Sequence, residues 1–255
     1  MRSKSDQTDR LGLGTIAESL LAQTQGLSAE QLVAAVYRCF GEKVVLASSL
    51  GLEDQVLTDM LCRVTRHPRV LTLDTGRLPQ ETYELMEQTQ QRYGIRIDVR
   101  FPQTEALELM VNKDGPNLFY KSVELRRLCC QVRKIEPLRR ALAGREAWIC
   151  GLRSGQSVTR AALRRIEVDG QFGLVKVCPL ADWSTDQVWD YIRRNEVPYN
   201  RLHDAGYASI GCAPCTRAIG PGDDIRSGRW WWEAPQHKEC GLHLRPEGSL
   251  GPMES

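Results

Sequence analysis

The chain has 255 residues, 42% of them hydrophobic and 26% charged, and a formal net charge of +2. That length and balance suit one globular domain with appendages, and the charge is too small to argue for nucleic acid. No apolar run could span a bilayer and Met1–Arg10 has no signal-peptide core, so a cytoplasmic protein with reduced thiols is expected.

Met1–Thr8 reads as disordered and Ile16–Gln25 as a short helix. Ser28-Ala29-Glu30-Gln31 is a capping box that opens a helix to Phe40, and Gly41 stops it. Lys43–Ala47 predicts a short buried strand and Glu53–Arg66 the next helix. Arg69–Leu73 is strand again, Pro79–Tyr93 is helix ended by Gly94, and Ile95–Phe101 is strand. This alternation predicts an α/β fold, a parallel sheet with helices on both faces. Thr104–Asn112 is helical, Ser122–Ile135 is a helix carrying Cys129 and Cys130, and Pro137 starts a further turn to Gly144. Ala147–Cys150 is a strand that runs into the loop Gly151–Ser157. Arg164–Glu167 and Leu174–Val177, joined by Asp169-Gly170, predict a hairpin at the sheet edge. Ser184-Thr185-Asp186-Gln187 caps a helix through Arg194. Turns dominate after Pro198, and regular pattern fades from Gly220 to Ser255. The chain thus divides into an extension (1–27), a main domain (28–219) and a C-terminal tail (220–255).

Four of the nine cysteines fall in two close pairs, Cys129-Cys130 and Cys212-Ala213-Pro214-Cys215. Alone, Cys-x-x-Cys fits a redox motif or a zinc knuckle. Together with the second pair it makes a four-thiolate centre the preferred reading. In a Gly/Pro turn, backbone N–H groups can point at the sulfurs and ease their charge. Adjacent helical cysteines diverge by roughly 100°, so both serve one centre only where the helix packs closely against it. Cys39, Cys62, Cys150 and Cys178 sit in apolar runs and read as small core hydrophobes. Cys240 is a lone thiol in the tail.

Ligands of an open parallel sheet bind beyond the carboxyl ends of its strands. Three strand ends here lead into suggestive loops. Ser48-Ser49-Leu50-Gly51-Leu52-Glu53-Asp54 offers free backbone N–H groups and a helix start to an anion, or is an ordinary tight turn; it lacks the Walker A ending. Asp74-Thr75-Gly76 could bond a ribose or base, or Asp74 could cap the following helix. Arg153 and Arg160 could grip an anion bidentately.

In this order, the three loops look like the adenine-nucleotide PP-loop fold. Lys176–Ser184, both cysteine pairs, Arg226-Ser227-Gly228-Arg229-Trp230-Trp231-Trp232-Glu233 and Lys238-Glu239-Cys240-Gly241-Leu242-His243 make the likeness sharper. Together they resemble the sulfonucleotide reductases, and more narrowly the iron–sulfur adenylyl-sulfate (APS) reductases, from about Val44 to His243. The resemblance implies that Cys129, Cys130, Cys212 and Cys215 ligate a [4Fe-4S] cluster and that Cys240 is the nucleophile. It implies adenosine 5′-phosphosulfate as substrate, thioredoxin as electron donor and a homo-oligomer. Substrate contacts would come from Ser48, Ser49, Gly51, Glu53, Asp74, Thr75, Gly76, Arg153 and Arg160. Lys134 would couple cluster to sulfate, Arg226 and Arg229 would clamp the phosphosulfate, and His243 would position the tail. Two stretches depart from the wider pattern: Ser-Ser-Leu-Gly stands for Ser-Gly-Gly, and Ser154-Gly155 stands between Arg153 and Gln156 where bulky polar residues are usual. Rival readings are a reductase of the 3′-phosphorylated nucleotide, an RNA-directed PP-loop thiolase, and a non-enzymatic metal-binding module.

Overall fold

The computed structural model describes residues 4–156, 160 and 162–234, with side chains from residue 12 onward. Cys240 and His243 lie outside the described residues.

The chain begins with helix α1 (Lys4–Gln23), followed by α2 (Ala29–Phe40), strand β1 (Val44–Ser48), α3 (Leu52–Val64) and β2 (Val70–Leu73). Then come α4 (Gln80–Tyr93), β3 (Ile97–Arg100), α5 (Thr104–Asp114), α6 (Val123–Cys130) and α7 (Glu136–Leu142). Strands β4 (Ala147–Ile149), β5 (Ile166–Asp169) and β6 (Leu174–Val177) and helix α8 (Thr185–Asn195) complete the order. The sheet runs β3-β2-β1-β4-β6-β5, and only β5 is antiparallel to its neighbour.

Alternation along each strand feeds two cores. Val44 and Leu46 of β1 face α2, α3 and α8, through Leu32, Val36, Val56, Met60 and Val188. Val45, Leu71 and Trp148 face the other side, against Leu138, Ala141 and Leu142 of α7. Helices therefore cover both faces, as the alternating pattern predicts. Leu32, Val33 and Val36 of α2 are wholly buried, each contributing about 1.5–3 kcal/mol of transfer free energy. The capping boxes at Ser28 and Ser184 are both formed, and Gly94 ends α4 in a left-handed conformation.

Four expectations are corrected. Helix α1 starts at Lys4, so Lys4–Thr8 is helical rather than disordered. Ala17 and Leu20 anchor its second half in the core, and no proline stands upstream to stop the helix extending. The helix expected over Ser122–Ile135 is α-helical only to Cys130; Gln131–Ile135 is a wide π-turn that leads into α7. The edge hairpin turns at Gly170–Gly173 rather than at Asp169-Gly170. The Asp169 carboxylate accepts from the N–H groups of Gln171 and Phe172, and Gly173 takes the positive φ of 70°. Cys39 is exposed and Cys62 half-buried, because both fall beside the apolar stripes of their helices; Cys150 and Cys178 are buried as expected.

The chain steps from β1 outward to β3, then returns to place β4 on the other side of β1. The crevice at that reversal, beyond the ends of β1 and β4, is where this architecture holds its ligands.

Candidate active site

A cavity of about 230 Å³ opens at the reversal. Ser48 from the end of β1, Ser49 and Gly51 from the turn after it and Glu53 from the start of α3 line it, as do Thr75, Lys134, Arg153, Arg160, Arg226 and Arg229. Asp74 and Gly76 do not. The Asp74 carboxylate accepts from the Gly76 N–H at 2.7 Å and the Tyr83 hydroxyl at 3.0 Å, shaping its own loop. Nor does it cap α4, whose N-cap is Pro79.

The turn after β1 differs from the open anion cradle its residues suggest. Ser49 donates both its N–H and its hydroxyl to Asp54 Oδ2, at 2.6 and 2.7 Å. Leu50 donates its N–H to Ser48 Oγ. Those two amides are therefore committed within the protein, and the uncapped start of α3 at Gly51 remains to face an anion. Asp54 Oδ1 also accepts from the Gly151 N–H at 3.1 Å, so one carboxylate ties the β1 loop to the β4 loop. Only glycine fits there: a Cβ on Gly151 would lie 2.4 Å from Asp54 Oδ1. Burial pushes the Asp54 carboxyl up to about 6, against the hydrogen bonds from Ser49 and Gly151. Leu50 holds a positive φ of 58° with its side chain buried, a strained conformation of the kind that clusters at functional sites.

Arg153 lines the cavity and is also engaged within the protein. Its guanidinium donates to Glu53 Oε1 at 2.7 Å, to the Trp183 carbonyl and to Thr185 Oγ1, and the residue is buried. The half-buried Glu53 carboxylate gains a charged partner there. Arg160 lines the same wall and donates to Gln156.

The four cysteines of the two pairs meet. Cys129, Cys130, Cys212 and Cys215, each 8% exposed, line one small cavity with Lys134 and Trp230. Among the described residues, no three His, Cys, Asp or Glu side chains converge as the ligands of a single ion would. The loop N–H groups expected to face the sulfurs bond oxygens instead: Gly211 donates to Thr216 Oγ1, Ala213 to the Arg77 carbonyl and Cys215 to the Cys212 carbonyl. Cationic side chains take that role, Arg126 hydrogen-bonding Cys130 and Arg133 hydrogen-bonding Cys129. Arg133 also donates to the Thr75 carbonyl, and the Thr75 hydroxyl lies 3.2 Å from Cys212 Sγ. Burial, aided by the Cys212 charge, pushes the Cys215 thiol up to about 12; burial also raises Cys129 against the pull of Arg133. Cys129 and Cys215 as free thiols would hold their protons, so a strongly cationic partner is what would draw out their thiolates.

Lys134 and Trp230 line both cavities and so stand between them. Trp230 is 1% exposed, has a positive φ of 42°, and carries the guanidiniums of Arg126 and Arg229 over its ring at 4.7 and 4.8 Å. Arg229 donates to the Ile210 carbonyl, and the absence of a side chain on Gly211 lets its guanidinium pass.

Comparison with known proteins places this arrangement. Residues 43–218 match the phosphoadenosine phosphosulfate reductase domain. The chain belongs to the phosphoadenosine phosphosulfate reductase family. Adenosine 5′-phosphosulfate reductase of Allochromatium vinosum is 56% identical over 204 residues, 80% of each chain. The protein of the same name from Burkholderia cepacia is 50% identical over 80% of this chain and 81% of its own. The solved phosphoadenylyl-sulfate (PAPS) reductase of Candida auris, a phosphate complex, superposes with a TM-score of 0.67 at 29% identity. It covers 80% of this chain and 96% of its own. Yeast FAD synthetase, at a TM-score of 0.52 and 15% identity over 83% of this chain and 75% of its own, shares the fold alone.

Four residues of this reductase-family site escape a reading of the sequence. Asp54 stands beside Glu53 in the first loop, and only the fold reveals that it reaches Gly151. Arg126 and Arg133 lie four residues before Cys130 and four after Cys129, a helical spacing that does signal a shared face. His203 lines the larger cavity, neutral in tendency because burial lowers it, and nothing in its local sequence marks it.

Proposed function

We propose that the protein reduces adenosine 5′-phosphosulfate to sulfite and AMP, with thioredoxin supplying both electrons. The observation that carries this reading is the junction of the two cavities. Lys134, Arg226 and Arg229 line the larger one, and Lys134 and Cys212 are shared with the cysteine quartet. Cations gathered there suit a phosphosulfate, whose charge they offset. The likeness to proteins named for that activity supports the choice of substrate.

In this scheme the Cys240 thiolate attacks the sulfur of the phosphosulfate. The S–O bond breaks, AMP leaves, and Cys240 carries an S-sulfonate. A thioredoxin thiolate then attacks the Cys240 sulfur, releasing sulfite and forming a mixed disulfide. The second thioredoxin thiol resolves it, returning Cys240 as a thiol and leaving thioredoxin oxidised. The second step requires the Cys240 sulfur to be accessible to thioredoxin.

Cys129, Cys130, Cys212 and Cys215 suit a [4Fe-4S] cluster: four buried soft donors lining one small cavity, with Arg126 and Arg133 beside the sulfurs. Such a cluster would supply a fixed charge and a structural clasp. Lys134 would transmit its field to the sulfate group.

Anaerobic assay with reduced thioredoxin separates the rivals. Sulfite and AMP formed from adenosine 5′-phosphosulfate, with four irons per chain, is expected. Turnover confined to the 3′-phosphorylated nucleotide would overturn the substrate, and ATP-dependent thiolation of RNA would overturn the reaction.

A further inference from the structure

Cys150 and Cys178 stand apart from the quartet and take no part in the scheme above. Strands β4 and β6 pair in parallel with Ile149 opposite Val177, so the residues that follow, Cys150 and Cys178, are neighbours. Their sulfurs lie 3.4 Å apart, and both residues are buried on the α7 side of the sheet. Neighbouring strands run about 4.8 Å apart, inside the ~4.4–6.8 Å between Cα atoms that a disulfide accepts. Cys150 lines the larger cavity and Cys178 does not, so a small reagent in the cavity meets Cys150 first. The hydrogen bond shared with Cys150 and burial hold the Cys178 thiol well above the usual range, while the Lys176 ammonium opposes them.

We propose that Cys150 and Cys178 form an oxidisable dithiol that reshapes the cavity when a small disulfide closes it. The Cys150 thiolate attacks the reagent's S–S bond, and one thiol leaves with a mixed disulfide on Cys150. Cys178, giving up its proton, attacks the Cys150 sulfur, and the second thiol leaves. The protein loses two electrons and two protons, and the reagent gains them as two thiols. The sulfurs must then close from 3.4 Å to about 2.05 Å. Cys150 is followed at once by Gly151, whose N–H the Asp54 carboxylate grips and whose Cα has no spare room beside it. Ser154 and Arg153 further bind this loop to Ala181 and Trp183, just after Cys178. Drawing the two cysteines together therefore shifts the cavity-lining loop after β4 against Asp54.

The test treats the intact protein anaerobically with 2-hydroxyethyl disulfide, then alkylates under denaturing conditions and maps peptides. AMP affinity is measured before treatment, after it, and after dithiothreitol; that probe rests on the nucleotide reading above. A Cys150–Cys178 linked peptide is expected, with AMP binding about tenfold weaker and restored by reduction. Cys178→Ala, and independently Cys150→Ala, should abolish both changes. Recovery of Cys150 and Cys178 as alkylated thiols, at doses that modify exposed Cys39, would overturn the proposal. So would a linked peptide that leaves AMP affinity unchanged. Absence of AMP binding to the reduced protein would instead strike the nucleotide reading, leaving the peptide map to judge the dithiol.

Discussion

Asp54 places an ionisable carboxyl in a buried position, where three hydrogen bonds from Ser49 and Gly151 partly offset the loss of water. Its folded value, about 6, lies above the ordinary 3.8, so the fold binds the proton more tightly than the unfolded chain does. The stability it contributes is therefore full below pH 4 and is lost as pH rises through 6, on the order of 2–3 kcal/mol in all. Asp54→Asn should remove that fall. Thermal melts of both proteins from pH 4 to 7 check it, and parallel curves would show that Asp54 does not titrate in this window. In the sequence, Asp54 is merely the second acidic residue of a helix start. Its partner Gly151 lies 97 positions away, a separation that no local pattern bridges. Cys129, Cys130, Cys212 and Cys215 were legible because ligand chemistry demands one residue type in close pairs.

Between elements, a buried ion pair fixes helix α6 to the strip that carries Trp230. Arg126 donates to both Glu233 oxygens, at 3.0 and 2.8 Å, with the two side chains 1% and 3% exposed. Removing one partner strands a charge, so Glu233→Ala should cost about 3–5 kcal/mol in denaturant unfolding. The double variant Arg126→Leu/Glu233→Leu should recover part of that loss; a double-variant loss equal to the sum of the two single-variant losses would show that the pair is not coupled. At the end of β4, Gly151→Ala forces a Cβ within 3.0 Å of the Asp54 backbone nitrogen. A cost of about 1–3 kcal/mol is expected, with weaker nucleotide binding. The strands and caps were legible from period and capping chemistry, whereas the π-turn after Cys130 was not. A single wide turn carries no capping or breaking residue to mark it, and here it carries Arg133 and Lys134.

At the scale of the molecule, the topology does most of the assembly. Returning the chain from β3 to β4 brings the first and third loops together at one crevice. The second loop, after β2, meets the cysteine quartet through Thr75 and Arg77. The parallel sheet could be foreseen from alternating strands and helices; which amides and arginines stay available to a ligand could not, because that depends on long-range partners. Arg153 is the clearest case, a residue that looks like an anion clamp and also pairs with Glu53, 100 positions away. The quartet joins α6 to the loop after α8, so Cys212→Ser should lose bound iron and lower the melting temperature together. Retained iron in that variant would show that Cys212 is no ligand.

The central claim is most directly tested by incubating the anaerobically purified protein with sulfur-radiolabelled adenosine 5′-phosphosulfate in the absence of thioredoxin. Peptide mapping should place the label on Cys240, and reduced thioredoxin should discharge it as sulfite. Label absent from Cys240 with either nucleotide, or label that thioredoxin cannot release, would contradict the account.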